Sequence, residues 1–357
     1  MTWMPGTRVE EYGGPTMRDG PATSRSERFR RAAHSQWLVP TIVVVLTSLF
    51  GLAYLTALAR PAPHRIPLAV VAPVPVTAHI VGALRLNAPA AIDPRGYRDF
   101  SAARSALLAR RVDGVLVAGP TVDKLYVAQA AGPPIATVLD QVGGALAFHQ
   151  HVSLEVRDLV PLPGGDSSGL ALFYLVLACV LGGYVGTITI MGHTKPVSTG
   201  RRAMQLASTA ALCGTSLVVL VRFVLATDPL PLTAVAVAAL TVFAVAVCTW
   251  ALLTVFGRLA IPVAIGFFVI LGSPSSGGAI PRSLLPGFYS AIGRWLPNGA
   301  AVSVLRDITF FPAVSPTTPL LVLTGWAVAG LTVALVVSTR RQRSLPDHFA
   351  DAGHSPA

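Results

Sequence analysis

The sequence predicts a multi-pass α-helical membrane protein with six transmembrane helices. An extracytoplasmic α/β domain sits between helices one and two, and a re-entrant or interfacial hairpin precedes helix six. Three observations predict this class. Charged residues are only 12% of the 357, half of what a soluble domain carries, and the mean hydropathy is +0.63. Uncharged apolar runs of bilayer length recur along the chain. Arg and Lys gather in short segments that alternate with those runs. Together they exclude an ordinary soluble enzyme and a disordered chain, which needs low hydrophobicity and high charge.

Residues 1–36 read as a cytoplasmic tail holding Arg18, Arg25, Arg28, Arg30 and Arg31. Trp37–Ala59 supplies 23 residues without a charge, helix one. A cleaved signal would have a short leader and an apolar core of about 7–15 residues, so an uncleaved anchor fits better. Residues 60–168 have a near-balanced, soluble composition. Ile66–Ala72 is an apolar run bounded by prolines and reads as a buried strand, followed by a helix over Val76–Leu86 and a strand over Ala90–Tyr97. Ser101 is placed to cap a helix to Arg111. Val112–Gly119 and Leu125–Ala131 read as strands, Pro134–Gln150 as a helix and His151–Leu162 as extended. Strands alternating with helices give a small α/β domain.

Residues 169–338 carry the remaining spans: Gly169–Met191, Ala203–Val221, Leu232–Phe256, the short Gly257–Gly272 with Arg258 and Pro262, and Pro319–Ser338. Residues 339–357 form a second cytoplasmic tail. The basic segments at Lys195, Arg201 and Arg202, at Arg258, and at Arg340, Arg341 and Arg343 share a side with the N-terminal tail if the count is six. Both termini are then cytoplasmic. The net charge of +11, carried by 27 basic against 16 acidic residues, is thereby assigned to topology in a plasma (inner) membrane rather than to nucleic acid. Only Lys124 and Lys195 are lysines, and this Ala/Arg bias suggests a high-GC genome. Cys179, Cys213 and Cys248 all lie in apolar runs and read as packing residues, not as a disulfide or metal framework.

Candidate chemistry is thin. His149 and His151 stand two apart with no third ligand nearby, where a metal needs three or four. Gly165-Asp166-Ser167-Ser168-Gly169 matches G-x-S-x-G, but a nucleophile elbow needs a strand before it and later Asp and His partners. The plainer reading is that Asp166 or Ser168 caps the second span. Neither lysine follows a glycine, so no P-loop exists and the chain does not hydrolyse ATP by that route. No span contains Asp, Glu or His, which disfavours an ion-driven carrier. No cofactor is implied. Arg222 lies in an apolar run, as an interfacial snorkel or the lining of an outer vestibule. Gly182-x-x-x-Gly186 permits close helix packing, within the chain or across a dimer.

Residues 273–318 form the outer hairpin, broken at Pro281, Pro286 and Pro297. Leu284, Phe288, Ile292 and Trp295 fall at helical spacing, with Tyr289 alongside. Pro297 opens a second short helix through Ile308. Both pieces read as amphipathic and interfacial, with Gly277-Gly278 as a hinge and Arg306 holding the second helix against the bundle, within reach of Asp307 or helix carbonyls. Gly277, Gly278, Pro281, Pro286, Phe288, Trp295, Pro297 and Arg306 are the candidate gate, and Arg294 also sits among apolar neighbours.

Ser276-Gly277-Gly278, Leu285-Pro286-Gly287-Phe288, Leu296-Pro297 and Leu305-Arg306 resemble the last third of type-2 ABC-exporter permeases. Leu162-Pro163-Gly164-Gly165-Asp166 resembles the branch that includes phage-infection-protein-like and related actinobacterial and fungal membrane proteins, in which a large external domain follows helix one. The resemblance covers roughly residues 37–340. It implies an exporter half that pairs as a dimer or with a second half and draws energy from a separate cytoplasmic ATPase. Substrates across the family include lipids, glycans, peptides and drugs. Lys195, Arg201 and Arg202 would then lie in the loop that meets the ATPase, although a short basic loop is also what topology alone requires. The alternative is a non-transporting envelope protein whose external domain binds a partner; some members of the branch have no known ATPase.

Overall fold

The computed structural model describes residues 25–59, 61–193, 197–225 and 230–343. The two tails, apart from their helical ends, and Lys195 lie outside the described residues. The chain divides into one unit ending at Val45 and a second from Leu46 onward. Helix α1 (Arg25–Leu58) begins in the first unit and ends in the second. Apart from the bounds of α1, all that follows concerns the second.

The sheet domain is built from β1 (Ile66–Val71), α2 (Val74–Asn87), β2 (Ile92–Tyr97), α3 (Phe100–Leu108), β3 (Gly114–Val117), β4 (Val122–Val127), α4 (Pro133–Gln150) and β5 (Ser153–Asp158). The strand order is β2-β1-β3-β4-β5. β1 runs parallel to both neighbours, β4 turns back antiparallel to β3, and β5 is parallel to β4. The chain steps from β1 to β2 on one side and then past β1 to β3 on the other. Right-handed crossovers therefore place α2 and α3 on opposite faces. Ile80 and Leu84 of α2 pack with Ile135 and Leu139 of α4 on Leu68 and Val70. Ala103, Ala106 and Leu107 of α3 pack on Ala69, Val71 and Val115. Burial on both faces explains why IPLAVVA is continuous rather than alternating.

Two local expectations shift. Asp99, not Ser101, caps α3, its carboxylate accepting from the Ala102 amide at 2.8 Å. The strand expected over Leu125–Ala131 starts three residues earlier and gives way to a 3₁₀ turn at Gln129–Ala131. Gly132 ends that turn with φ +151.

Among the described residues, five helices are long and apolar enough to cross a membrane. They are α1 between Pro40 and Leu58, α5 (Ala171–His193), α6 (Thr199–Leu225), α7 (Thr233–Phe256) and α12 (Thr317–Arg343). Asp166 caps α5, accepting from the Leu170 and Ala171 amides at 2.9 and 3.1 Å. A 3₁₀ turn, Gly164–Asp166, precedes it where a nucleophile elbow would need a strand. α7 is the central helix, flanked by α5, α6 and α12. Small residues allow these approaches. A Cβ on Gly182 would meet Cys213 Sγ of α6 at 2.7 Å, and one on Gly183 would meet the Val242 carbonyl of α7 at 2.6 Å. Gly186 faces Thr209 of α6. The Gly182-x-x-x-Gly186 pattern thus packs helices of one chain.

The expected span at 257–272 is not a regular helix. A 3₁₀ turn (Gly257–Leu259) leads into α8 (Ala260–Ala264), a π-helical turn (Ile265–Leu271) and α9 (Gly272–Ser275). The apolar stretch is Ala260–Ser275, too short to rank with the other five. It nevertheless runs back toward the sheet domain. Phe267 meets Trp326 of α12 at 5.3 Å between ring centroids, and a Cβ on Gly278 would meet Phe173, near the start of α5, at 2.8 Å. The hairpin follows as α10 (Gly287–Gly293) and α11 (Pro297–Phe310).

α11 does not leave one face open as an amphipathic helix would: it is buried from Pro297 to Asp307 except at Ser303. Gly299, Ala300 and Ala301 let it sit against neighbouring backbone. Asn298 Nδ2 donates to the Phe268 carbonyl at 3.0 Å, a group within the π-helical turn. A widened turn leaves carbonyls that need such partners.

Candidate functional site: an arginine-lined cavity

The hairpin closes the sheet domain. Leu284 enters the core on the α2 and α4 face, and Phe311 enters the core on the α3 face. The Ala62 and His64 amides donate to the Leu284 and Ser283 carbonyls at 3.2 and 2.7 Å. Pro281 sits on Gly132, where any Cβ would collide with its ring. Gly277 turns the chain with φ +73.

At this seam lies a cavity of about 480 Å³. Four arginines line it: Arg110 from the end of α3, Arg282 from the hairpin, Arg294 after α10 and Arg306 from α11. Its two carboxylates are Asp113 and Asp307. Arg110 follows α3 in a left-handed conformation, φ +54, a place usually taken by glycine. That turn aims its guanidinium at Asp307, with which it forms a salt bridge, and lays it over the Phe311 ring at 5.3 Å.

Arg306 is buried and donates to the Gly277 and Gly278 carbonyls at 3.1 and 3.3 Å. Those two bonds tie α11 to the Ser276-Gly277-Gly278 turn. Asp307 pairs with Arg110 instead, 197 residues away in sequence. Arg282 donates to Ser303 Oγ and, at 3.3 Å, to the Gly299 carbonyl. Arg294 is exposed and reaches the Ala291 carbonyl at 3.4 Å. Of the four cations only Arg110 has a carboxylate partner among the described residues. Burial, and then the positive charge of Arg110 and Arg294, hold the Arg282 guanidinium below its ordinary value. Burial pushes the Asp113 carboxyl up to about 6, against the pull of Arg110.

The remaining sequence candidates are distributed as follows. Pro286 and Pro297 open α10 and α11. Phe288 is exposed and stands edge-on to Tyr289 at 5.4 Å, and Tyr289 Oη is 2.9 Å from Thr56 Oγ1 of α1. Trp295 is exposed, and its carbonyl accepts from Trp326 Nε1 at 2.7 Å. Arg222 is half-buried near the end of α6, and its guanidinium bonds the Leu230 carbonyl ahead of α7, at 3.1 Å from Nε; it does not line the arginine cavity. Arg201 is exposed, whereas Arg202 turns inward to the Ile190 carbonyl and Gln205 Oε1, each at 3.4 Å. Lys195, their companion in the expected coupling loop, lies outside the described residues. Sequence reasoning missed Arg110, Asp113, Arg282 and Ser303 as site residues. The one signal was for Arg282, an excess of Arg in a hairpin with a single acid; Arg110, Asp113 and Ser303 carry none in the sequence.

No protein-family model and no curated protein matches this sequence. The fold and the site define a membrane-embedded helical protein carrying an inserted α/β domain, with an arginine-lined cavity where that domain meets the hairpin.

Proposed function

We propose that this chain is the permease subunit of an ABC-type exporter, working as a dimer or a paired half with a separate cytoplasmic ATPase. It moves a lipid, drug or envelope component outward. In this reading both termini are cytoplasmic, the sheet domain is extracytoplasmic, and the broken stretch 257–275 is a sixth, short crossing. Two features support the crossing. α7 leads away from the sheet-domain end, and the chain is back at that end by Gly278, against Phe173. Sixteen helical residues span about 24 Å, somewhat less than the roughly 30 Å of a hydrocarbon core. Local thinning or the preceding turn makes up such a difference.

The observation that carries the functional reading is the cavity at the outer end of the bundle. It is charged, joined to the sheet domain, and held by a helix tied to a Gly-Gly turn. In this reading Arg201, with Lys195, faces the ATPase. Two measurements test the proposal. Cysteine labelling at Ser101 should occur from outside intact cells and at Ser344 only after permeabilisation; labelling of Ser344→Cys from outside refutes the topology. An affinity-tagged chain should retain an ATPase subunit in gentle detergent and stimulate its hydrolysis. A chain that complements its knockout while every candidate ATPase is deleted is not an exporter subunit. It would instead be the envelope protein of the alternative reading.

A further inference from the structure

A second, wholly apolar groove of about 350 Å³ lies between α7, the broken stretch and α12. Its wall on α12 is Trp326, Ala329, Gly330 and Val333. The arginine cavity uses the preceding turns of that helix, Thr318, Pro319 and Val322. Val322 and Trp326 are one turn apart and share a face. The two sites meet at a fixed joint, the 2.7 Å hydrogen bond from Trp326 Nε1 to the Trp295 carbonyl, since Trp295 lines the first and Trp326 the second. From Val322 to Val333 the helix rises about 16 Å, half the depth of a hydrocarbon core. Four cations at one end and an apolar trough at the other thus lie in succession along α12.

We propose that this composite site binds one anionic amphiphile, its phosphate among Arg282, Arg294 and Arg306 and one acyl chain along α12 past Trp326. Charge complementarity selects the head. Arg282 and Arg306 hold only neutral acceptors, and guanidinium groups match phosphate oxygens in pairs. A zwitterionic lipid would bring an ammonium group into the same cluster, where like charge repels it. The apolar trough selects a tail over a soluble anion. If the export reading holds, this amphiphile is the cargo or a resident lipid; binding itself rests only on the chain lying in a bilayer and is measured without any ATPase.

The test uses the purified full-length chain in detergent, titrated with fluorescent phosphatidylglycerol, phosphatidylcholine and, separately, with inorganic phosphate as competitor. Phosphatidylglycerol should bind at least about 10-fold more tightly than phosphatidylcholine. Arg294→Gln alters an exposed side chain and should lower that affinity about 5–10-fold without loss of folded protein. Ala329→Trp fills the groove and should abolish lipid binding. Equal affinity for the two lipids, full affinity in both variants, or displacement of the lipid by micromolar inorganic phosphate would each overturn the proposal, the last by making this a soluble-anion site. Specific lipid binding by a chain that shows no ATPase-dependent transport would count against the export reading alone.

Discussion

Arg110 joins a backbone strain to a buried ion pair, and the choice of replacement separates the two. Its φ of +54 is the left-handed conformation, which costs an L-residue about 1–2 kcal/mol and glycine almost nothing. Its partner Asp307 has a side chain only 6% exposed, while Arg110 itself is 29% exposed. Breaking a buried pair from one side costs about 3–5 kcal/mol. Partial exposure of Arg110, and the positive charge of Arg282 and Arg306 near Asp307, reduce the expected loss to about 2–3 kcal/mol. Arg110→Ala loses the pair and keeps the strain. Arg110→Gly loses the pair and relieves the strain. The glycine variant should therefore be the more stable by about 1 kcal/mol, net of glycine's greater freedom in the unfolded chain. Adding Asp307→Asn to Arg110→Ala removes the orphaned charge and should recover at least half of the loss. Thermal unfolding of the detergent-purified chain, followed by tryptophan fluorescence, reads the order wild type, glycine, alanine, with about 2–4 °C per kcal/mol. Alanine equal to or above glycine would refute the strain argument. A double variant no better than Arg110→Ala would refute the claim that Asp307 is left as an unpaired buried charge.

Gly278→Val puts atoms into Phe173, whose ring and Cβ stand 2.8 and 3.0 Å from the site of a Cβ. It should lower the yield of monodisperse protein on size exclusion, and Phe173→Ala in the same chain should restore part of it; no effect of Gly278→Val on yield refutes the contact. Gly132→Ala drives a methyl group into Pro281 and leaves a strained φ of +151. It should expose the seam between sheet domain and hairpin to limited proteolysis while the sheet domain resists digestion, and a wild-type digestion pattern would count against the close approach. For Asp113 the sign is set by a folded pKa of about 6 against an ordinary 3.8. The folded chain holds this proton more tightly than the unfolded one, so stability is greatest below about pH 4 and declines as pH rises through 6. Asp113→Asn should match wild type at pH 4 and exceed it at pH 7.5 by at most about 3 kcal/mol; a difference that is constant with pH would refute the assignment.

The parts of this fold that can be read from sequence are those set by local composition. IPLAVVA reads as a buried strand because a strand covered on both faces must be apolar throughout, and β1 is that strand. Asp166 or Ser168 reads as the cap of the second span because helix N-termini need an acceptor, and it is the Asp166 carboxylate that holds two amides there. The parts that cannot be read are set by groups distant in sequence. PNGAAVSVLRDITF has an amphipathic spacing, and Arg306 reads as holding that helix to the bundle, but the spacing names neither the carbonyls it bonds nor the partners of Asn298 and Asp307. In the structure each has a buried partner from elsewhere: the Phe268 carbonyl, the Gly277 and Gly278 carbonyls, and Arg110. The partner of Arg222 is hidden for the same reason, since the Leu230 carbonyl that it bonds lies beyond its own helix.

Arginine placement carries the argument one step further. The charge excess follows the positive-inside bias in the tails and in the loop after α5. Under the proposed topology, Arg282, Arg294 and Arg306 oppose that bias, because they lie in a translocated hairpin whose single acid, Asp307, is already paired with Arg110. Translocating uncompensated cations next to lipid is costly, and burying Arg306 adds a desolvation cost that two carbonyl bonds offset only in part. Structural need accounts for Arg306, which ties α11 to the glycine turn. It accounts less well for Arg294, exposed and held by one long bond. A residue that opposes topology and supports little structure is the one whose charge is best explained by a ligand. That is why Arg294→Gln, rather than a change at a buried arginine, is the informative substitution at this site.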